Sequence, residues 1–91
     1  MYDPNNVKPQ LVARMISLAS KAAEAGMSIG STTERIVGAL LNDRADWLPP
    51  DYPSPLEAIL RLHLGGPEWW HTMMYVYDRG WKSMEIHEER F

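Results

Sequence analysis

Residues 54–80 read SPLEAILRLHLGGPEWWHTMMYVYDRG, and they contain two complete helix signals in succession. Ser54-Pro55 is typical of a helix start, because serine can cap the helix and proline at the first helical position loses no hydrogen bond. Gly65-Gly66 ends this helix, Pro67 starts the next one, and Gly80 supplies its stop. The stretch therefore predicts two consecutive helices, over residues 54–64 and 67–79.

Two more helices are predicted upstream. From Pro9 to Ala25 the apolar residues recur at helical spacing, and Gly26 follows as a stop. Ser31 and Glu34 have the spacing of a capping box, which marks the start of another helix. No segment alternates apolar and polar residues with a period of two, so we expect no sheet. The chain is thus predicted to be an all-α, compact four-helix domain spanning residues 1–91, with helices at 9–25, 31–42, 54–64 and 67–79.

The segments outside these helices are predicted to be irregular. Residues 1–8 form a loose polar N-terminal segment, which we call the lead. A proline-rich connector at residues 48–53 joins the second and third helices. Its prolines exclude a helix and make the connector stiff. The acidic tail, residues 81–91, is expected to add one or two frayed helical turns.

The composition excludes several classes of function. A chain of 91 residues forms one domain, too small to combine a core with a deep enclosed cavity, so a functional surface is expected outside the core or at a subunit boundary. Cysteine is absent, which excludes disulfides, thiolate zinc sites and cysteine nucleophiles. The formal net charge is -3, and residues 46–91 carry four Lys or Arg against eight Asp or Glu. This acidic half disfavours duplex DNA or an anionic membrane as a partner.

The first residues of the chain are not expected to act as a targeting signal. Its first ten residues are mostly polar and include two prolines and two asparagines, unlike a signal peptide. No apolar run approaches the roughly 20 residues of a membrane span. We therefore expect a cytoplasmic protein that does not associate with membranes.

Aromatic residues concentrate in the second half of the chain, and no nucleophile or phosphate loop accompanies them. On the fourth helix, aromatic and apolar residues cover roughly 160° of the helical wheel, more than a peripheral helix usually buries. The first helix or the tail could cover this excess, or it could form a protein-binding patch, since Trp, Tyr, Met and Arg are enriched in interface hot spots. The connector is likewise either an interaction loop or a packed strap. The predicted partner-binding surface consists of Trp70, Met74, Trp81, Trp47, Tyr52 and Arg61, with Asp46 and Asp51 as an acidic rim.

Several patterns that resemble specialised sites have simpler interpretations. Glu68-x-x-His71 is half of the spacing used by di-iron carboxylate bundles, but the chain has no second copy of it. His63 falls on an apolar arc of the third helix and is predicted to be a buried structural group. Residues 26–32 lack the lysine and the preceding strand of a phosphate loop. Arg35 is the only basic residue of the second helix, so nucleic-acid recognition is unlikely in this interpretation. We expect no metal, no cofactor and no enzymatic activity.

A longer pattern runs through residues 31–70. It comprises Glu34-Arg35-Ile36, Leu40-Leu41-Asn42-Asp43-Arg44-Ala45-Asp46-Trp47-Leu48-Pro49, Tyr52, Leu56-Glu57-Ala58, Arg61-Leu62 and Gly66-Pro67-Glu68-Trp69. This pattern resembles a group of small uncharacterised proteins from proteobacteria, their phages and their mobile elements. The chain departs from it at His63-Leu64-Gly65 and in its longer acidic tail. No activity, cofactor or catalytic residue carries over, but the resemblance implies a small accessory protein that acts by stoichiometric binding, including inhibition of host defence.

Two classes of function follow from these observations. The first is a non-enzymatic module that binds another protein, or itself as a homo-oligomer. The alternative is a helical oligomer that sequesters a nucleotide-like ligand at its subunit interfaces, where arginine and tryptophan would clamp phosphate and base.

Overall fold

The computed structural model describes the backbone of residues 2–88 and the side chains of residues 2–84. Every regular element in this range is a helix, which confirms the predicted all-α four-helix domain. The tail adds a fifth helix of eight residues, and the prediction for residues 89–91 lies outside the described residues. The elements are a 3-10 turn at Pro4–Asn6, α1 at Pro9–Ala25, α2 at Thr32–Leu41, a second 3-10 turn at Ala45–Trp47, α3 at Pro55–Gly65, α4 at Pro67–Arg79 and α5 at Trp81–Glu88.

Local signals account for where these helices begin and end. Ser31 and Glu34 form the predicted capping box: the Glu34 N–H donates to Ser31 Oγ at 3.3 Å, and the Ser31 N–H donates to Glu34 Oε1 at 2.9 Å. Gly26 ends α1 with a φ of 71°, in the left-handed region that glycine adopts without strain. Ser54 differs from the prediction, because its side chain makes no cap hydrogen bond and Pro55 marks the start of α3.

The hydrophobic core lies between α1, α2 and α4. α1 packs against both of the other helices and against α5. α3 is peripheral, because it packs mainly against α4 and α2 and buries only Ala58 and Leu62. The buried apolar residues are Met15, Ile16, Ala19, Ala22, Ile36, Val37, Ala39, Leu41, Leu48, Ala58, Leu62, Met73, Val76 and Trp81.

One glycine allows α2 to approach the turn that joins it to α1. A β-carbon on Gly38 would collide with Ser28 Oγ and would lie 3.4 Å from the β-carbon of Ala22. Ser28 is only 3% exposed, and its hydroxyl donates to the Arg35 carbonyl oxygen at 2.8 Å. Gly38 therefore leaves the space in which this buried serine holds the turn against α2.

The polar lead, which was predicted to be loose, is hydrogen-bonded to α4. The Asp3 N–H donates to His71 Nδ1 at 2.8 Å, and the Lys8 N–H donates to Thr72 Oγ1 at 3.1 Å. The Thr72 hydroxyl donates in turn to the Asn6 carbonyl oxygen at 3.3 Å. These bonds correct the prediction: the lead covers part of α4.

The proline-rich connector is packed against the core. Leu48 and Pro49 are buried, and the rings of Trp47 and Tyr52 pack against the core while remaining partly exposed. The Tyr52 N–H donates to the Pro49 carbonyl oxygen at 2.9 Å and closes a turn. Of the two interpretations of the connector, the packed strap describes this segment.

Candidate functional site

Four of the side chains predicted to form a contact surface are packed partly against the core. Trp70 and Met74 lie on α4, and each contacts the core with one side while the other side keeps some exposure. Tyr52 of the connector does the same, and so does Trp47, which precedes the connector. The excess of apolar residues on α4 is therefore largely used inside the domain, which reduces what these four residues can present to a partner.

Trp81 is a core residue. It is 7% exposed, and its indole N–H donates to the Leu41 carbonyl oxygen at 2.9 Å. This bond satisfies the polar atom of a buried ring and fastens α5 to the end of α2. The predicted contact surface is thus corrected at Trp81, because the side chain is not available to a partner.

The two acidic rim residues are both exposed, but they differ in what they contact. Asp46 accepts hydrogen bonds from Arg44 at 3.0 Å and 2.7 Å, and this bonding lowers the pKa of its carboxyl group. The same guanidinium lies over the Trp47 ring, 4.5 Å from its centroid. Asp46 is therefore bonded within the second 3-10 turn, before the connector, whereas Asp51 lies exposed in the connector.

Three exposed leucines lie on α3, and two of them, Leu56 and Leu64, are the most exposed large apolar side chains of the described range. Leu56 is 78% exposed, Leu60 is 57% exposed and Leu64 is 76% exposed. They recur every four residues, so they form one stripe along the helix, which we name the leucine face. At about 100° per residue, the centre of this stripe lies opposite the buried residues Ala58 and Leu62. The leucine face therefore points directly away from the core.

His63 lies beside this stripe and is exposed. The prediction that it is buried is wrong, because that prediction placed the arc of Leu56 and Leu60 against the core. The fold instead buries the opposite arc, where Ala58 and Leu62 are 0% and 1% exposed. Both arcs of α3 are apolar, so the pattern of apolar residues does not decide which of them faces the core.

Charged side chains flank the leucine face. Glu57 is exposed and Arg61 is partly buried; they lie one turn apart on the same side of the stripe, whereas His63 lies on the other side. Glu57 lies in the first turn of α3 and His63 in its last turn, positions that the helix dipole favours for an acidic and a basic residue. The border of the face is thus charged while its centre is apolar, as in many protein interfaces.

A cleft of about 290 Å³ adjoins α3 and contains Arg14, Arg61, Glu34 and Trp69. The Arg14 guanidinium donates to Glu34 Oε2 at 2.7 Å and lies 5.5 Å from the centroid of the Trp69 ring. The hydrogen bond from Arg14, followed by those from Ser31, lowers the pKa of Glu34 to about 2. One of the two arginines in this cleft is therefore already neutralised by a carboxylate.

A larger cleft, of about 430 Å³, lies between the end of α2 and the start of α5. Within it the Tyr77 hydroxyl donates to Asp43 Oδ1 at 2.7 Å, and this hydrogen bond raises the pKa of Tyr77. Asp43 has a φ of 56°, which suits its place just after the end of α2.

The half-motif Glu68-x-x-His71 does not form part of a cluster. Glu68 is exposed, and Nδ1 of His71 accepts the Asp3 N–H. Among the described side chains, no three His, Asp or Glu residues lie close enough together to hold a metal ion. His71 instead helps to hold the lead on α4.

The sequence prediction placed the contact surface on the aromatic residues and missed the leucine face. The available signal was the apolar content of α3, whose residues PLEAILRLHLG place apolar side chains on opposite sides of the helical wheel. A short helix that is apolar on both sides can pack against a neighbour with either of them. In this domain one side of α3 packs against α2 and α4.

In the part of the chain that the structure covers, no helix is both long and apolar enough to cross a membrane. The resemblance to small proteins of proteobacteria and their phages stays a prediction, as does a cytoplasmic location. Comparison with protein-family models, with curated proteins and with solved structures finds no match for this chain.

Proposed function

We propose that this protein is a non-enzymatic binding module whose leucine face docks onto another protein surface. The observation that carries the proposal is the exposure of Leu56, Leu60 and Leu64, each by more than half of its surface. Single exposed apolar residues are common in soluble proteins, but a continuous stripe of them marks an interaction site.

The magnitude of the hydrophobic effect supports a reversible complex. Full burial of one leucine side chain contributes about 1.5–3 kcal/mol, so covering the leucine face would contribute several kcal/mol on this side of an interface. Association itself costs about 4–15 kcal/mol in lost translational and rotational freedom. The face therefore suits a complex of moderate affinity rather than a permanent one.

The geometry of the leucine face favours a protein as its partner. A stripe with anchors one turn apart on an exposed helix is the usual way in which an amphipathic helix enters a hydrophobic groove or pairs with another helix. Glu57 beside the stripe, with the formal net charge of -3, disfavours a phosphate backbone or an anionic lipid surface.

The polar groups that come together elsewhere support binding rather than catalysis. Arg14 is paired with Glu34 and Arg44 with Asp46, and His71 is occupied by a backbone N–H. Each of these contacts stabilises the fold. The resemblance to phage and mobile-element proteins extends the proposal to an accessory protein that binds a bacterial protein, such as a component of a defence complex.

A capture experiment with two matched variants tests this proposal. Leu60→Glu places a charge at the centre of the leucine face, and Ile29→Glu places one at a residue of similar exposure, 60% against 57%, outside α3. Both variants should keep the helical circular-dichroism signal of the parent protein. We expect tagged protein to retain a partner in near-stoichiometric amount, Ile29→Glu to retain it as well, and Leu60→Glu to lose it. Equal retention by both variants would show that the leucine face is not the binding surface.

A second candidate function is the binding of a nucleotide-like ligand in the cleft of Arg14, Arg61 and Trp69. The meeting of an indole ring with two guanidinium groups favours it, since base stacking and phosphate pairing use these groups. Glu34 weakens it, because this carboxylate already neutralises Arg14. Titration with a panel of nucleotides, followed by tryptophan fluorescence of the parent protein and of Trp69→Phe, decides the matter: a response that Trp69→Phe abolishes would support this function.

A further inference from the structure

We infer that the leucine face binds a second copy of this chain, in an antiparallel α3 pair whose two-fold axis passes beside Leu60. This inference rests on the proposed function and names its partner. It follows from the order of the apolar and charged residues along α3, and from the peripheral position of this helix in the domain.

The leucine face is symmetric about its own centre. Leu56 and Leu64 lie at equal distances before and after Leu60, and their exposed fractions are nearly equal, 78% and 76%. In an antiparallel pair the residue order of the second helix is reversed, so Leu56 lies opposite Leu64 of the other copy. Leu60 then lies opposite its own counterpart. A two-fold interface requires such self-complementarity, whereas docking onto an unrelated surface does not.

The charges beside the leucine face are complementary in the same arrangement. In this arrangement the two copies place the same flank of the stripe on the same side of the interface. The residue order along that flank runs in opposite directions in the two copies. Glu57 of each copy then comes within roughly 3 Å, measured along the helix axis, of Arg61 of the other, because the two positions differ by two helical rises. Two attractive pairs result, and the two Glu57 side chains lie roughly 9 Å apart along the axis. The two Arg61 residues are as close along the axis as each attractive pair, but they lie about 100° from the centre of the face, against about 60° for Glu57, so they are farther apart across the interface.

A parallel pair lacks this complementarity. It would place the Glu57 and Arg61 flank of one copy against the His63 flank of the other, so the two opposite charges would not meet. It would also align the two helix dipoles, whereas an antiparallel pair opposes them favourably. Both the charges and the dipoles therefore select the antiparallel arrangement.

The first test is the mass of the protein in solution as a function of concentration. Sedimentation velocity from about 1 µM to about 1 mM, which spans weak and moderate affinities, should show a shift from monomer to dimer. Leu60→Glu should stay monomeric over the whole range, and Ile29→Glu should follow the parent protein. A parent protein that stays monomeric throughout, or a dimer that Leu60→Glu leaves intact, would overturn the inference.

The absence of cysteine from the chain allows the geometry to be tested directly. Helices that pack at about 8–10 Å bring residues at the two-fold axis within the reach of a disulfide. Under mild oxidation, Leu60→Cys should form a disulfide-linked dimer. Leu56→Cys and Leu64→Cys should each react poorly alone but should cross-link with each other when mixed. Efficient self-linking of Leu56→Cys, with no gain on mixing, would indicate a parallel pair and refute the proposed arrangement.

A charge exchange tests the pairing of Glu57 with Arg61. Glu57→Arg and Arg61→Glu each bring like charges together, so each should dimerise more weakly than the parent protein by at least about threefold. A mixture of the two variants restores two attractive pairs and should form a heterodimer with near-parental affinity. No preference for the heterodimer would contradict the antiparallel register. If Arg61→Glu disturbs the neighbouring cleft, the cysteine experiment still decides the register.

These results also separate this inference from the proposed function. A monomeric parent protein that captures another protein only when Leu60 is intact would refute self-association and support docking onto a foreign protein. A monomeric parent protein whose capture does not depend on Leu60 would refute both.

Discussion

α3 and α4 are adjacent in the sequence and begin in the same way, yet they have opposite relations to the solvent. Each starts at a proline and packs against the other. α4 also packs against α1, α2, α5 and the first 3-10 turn, and so most of its apolar residues are covered. α3 packs mainly against α4 and α2, and its three exposed leucines remain uncovered. The number of neighbours, rather than the aromatic content, decides which helix presents an apolar surface.

The largest effect that this comparison predicts is at a buried position of α4. Met73 is 3% exposed, and its replacement by alanine would leave a cavity that the surrounding helices fill only partly. We expect Met73→Ala to lower the free energy of unfolding by about 2–5 kcal/mol, measured by urea denaturation. Leu60→Ala on α3 is the matched control, because the same loss of apolar atoms occurs at an exposed site. Equal losses for both variants would contradict the comparison.

A smaller effect is expected where the lead covers α4. Thr72 is fully buried and accepts the Lys8 N–H while its hydroxyl donates to the Asn6 carbonyl oxygen. Thr72→Val keeps the shape of the side chain but leaves these two backbone groups without their partner, at a cost of about 1–3 kcal/mol. We expect lower thermal stability and faster proteolytic cleavage within residues 2–8. Cleavage at the parental rate would show that the lead is held by other contacts.

The ion pair in the cleft between α1, α2 and α4 should make stability depend on pH. The folded pKa of Glu34 is lowered from 4.5 to about 2, so its contribution is complete above pH 4.5 and is lost as the pH falls towards 2. Because the pair keeps solvent access, we expect it to contribute about 1 kcal/mol to the free energy of unfolding. Urea denaturation at several pH values measures it, and Glu34→Gln should remove this part of the pH dependence. A parental pH profile in Glu34→Gln would assign the effect to other carboxylates.

The smallest effect is expected on the leucine face itself. Leu56 is 78% exposed, so Leu56→Ser removes almost no buried contact from a single copy of the chain. At concentrations where the protein is monomeric, the free energy of unfolding should change by less than about 0.5 kcal/mol. If the inferred dimer forms, the same variant should lose stability relative to the parent protein at higher concentrations, because dimerisation would then stabilise only the parent. A large loss in the monomer would mean that α3 packs differently.

The helix boundaries could be predicted because their signals are local. The capping box of Ser31 and Glu34, the stop at Gly26 and the prolines at positions 9, 55 and 67 act within one turn of the helix. Each predicted boundary lies within one residue of the observed one. A local signal needs no knowledge of which elements become neighbours.

The candidate site could not be predicted in the same way, because burial depends on the neighbours of each helix. Tryptophan is typical of protein interfaces, yet the end of α2 provides a carbonyl oxygen for the indole N–H of Trp81, and the side chain is buried in the core. Leucine is typical of hydrophobic cores, yet no described element covers Leu60. α3 is apolar on two arcs, and only the tertiary fold chooses between them.

The close approach at Gly38 has a consequence for the evolution of this chain. Any side chain at this position would displace the hydroxyl of Ser28, which holds the turn after α1. A change at Gly38 is therefore tolerated only if Ser28 becomes smaller or the turn is rebuilt at the same time. In diverging sequences that keep this fold, positions 38 and 28 should therefore covary.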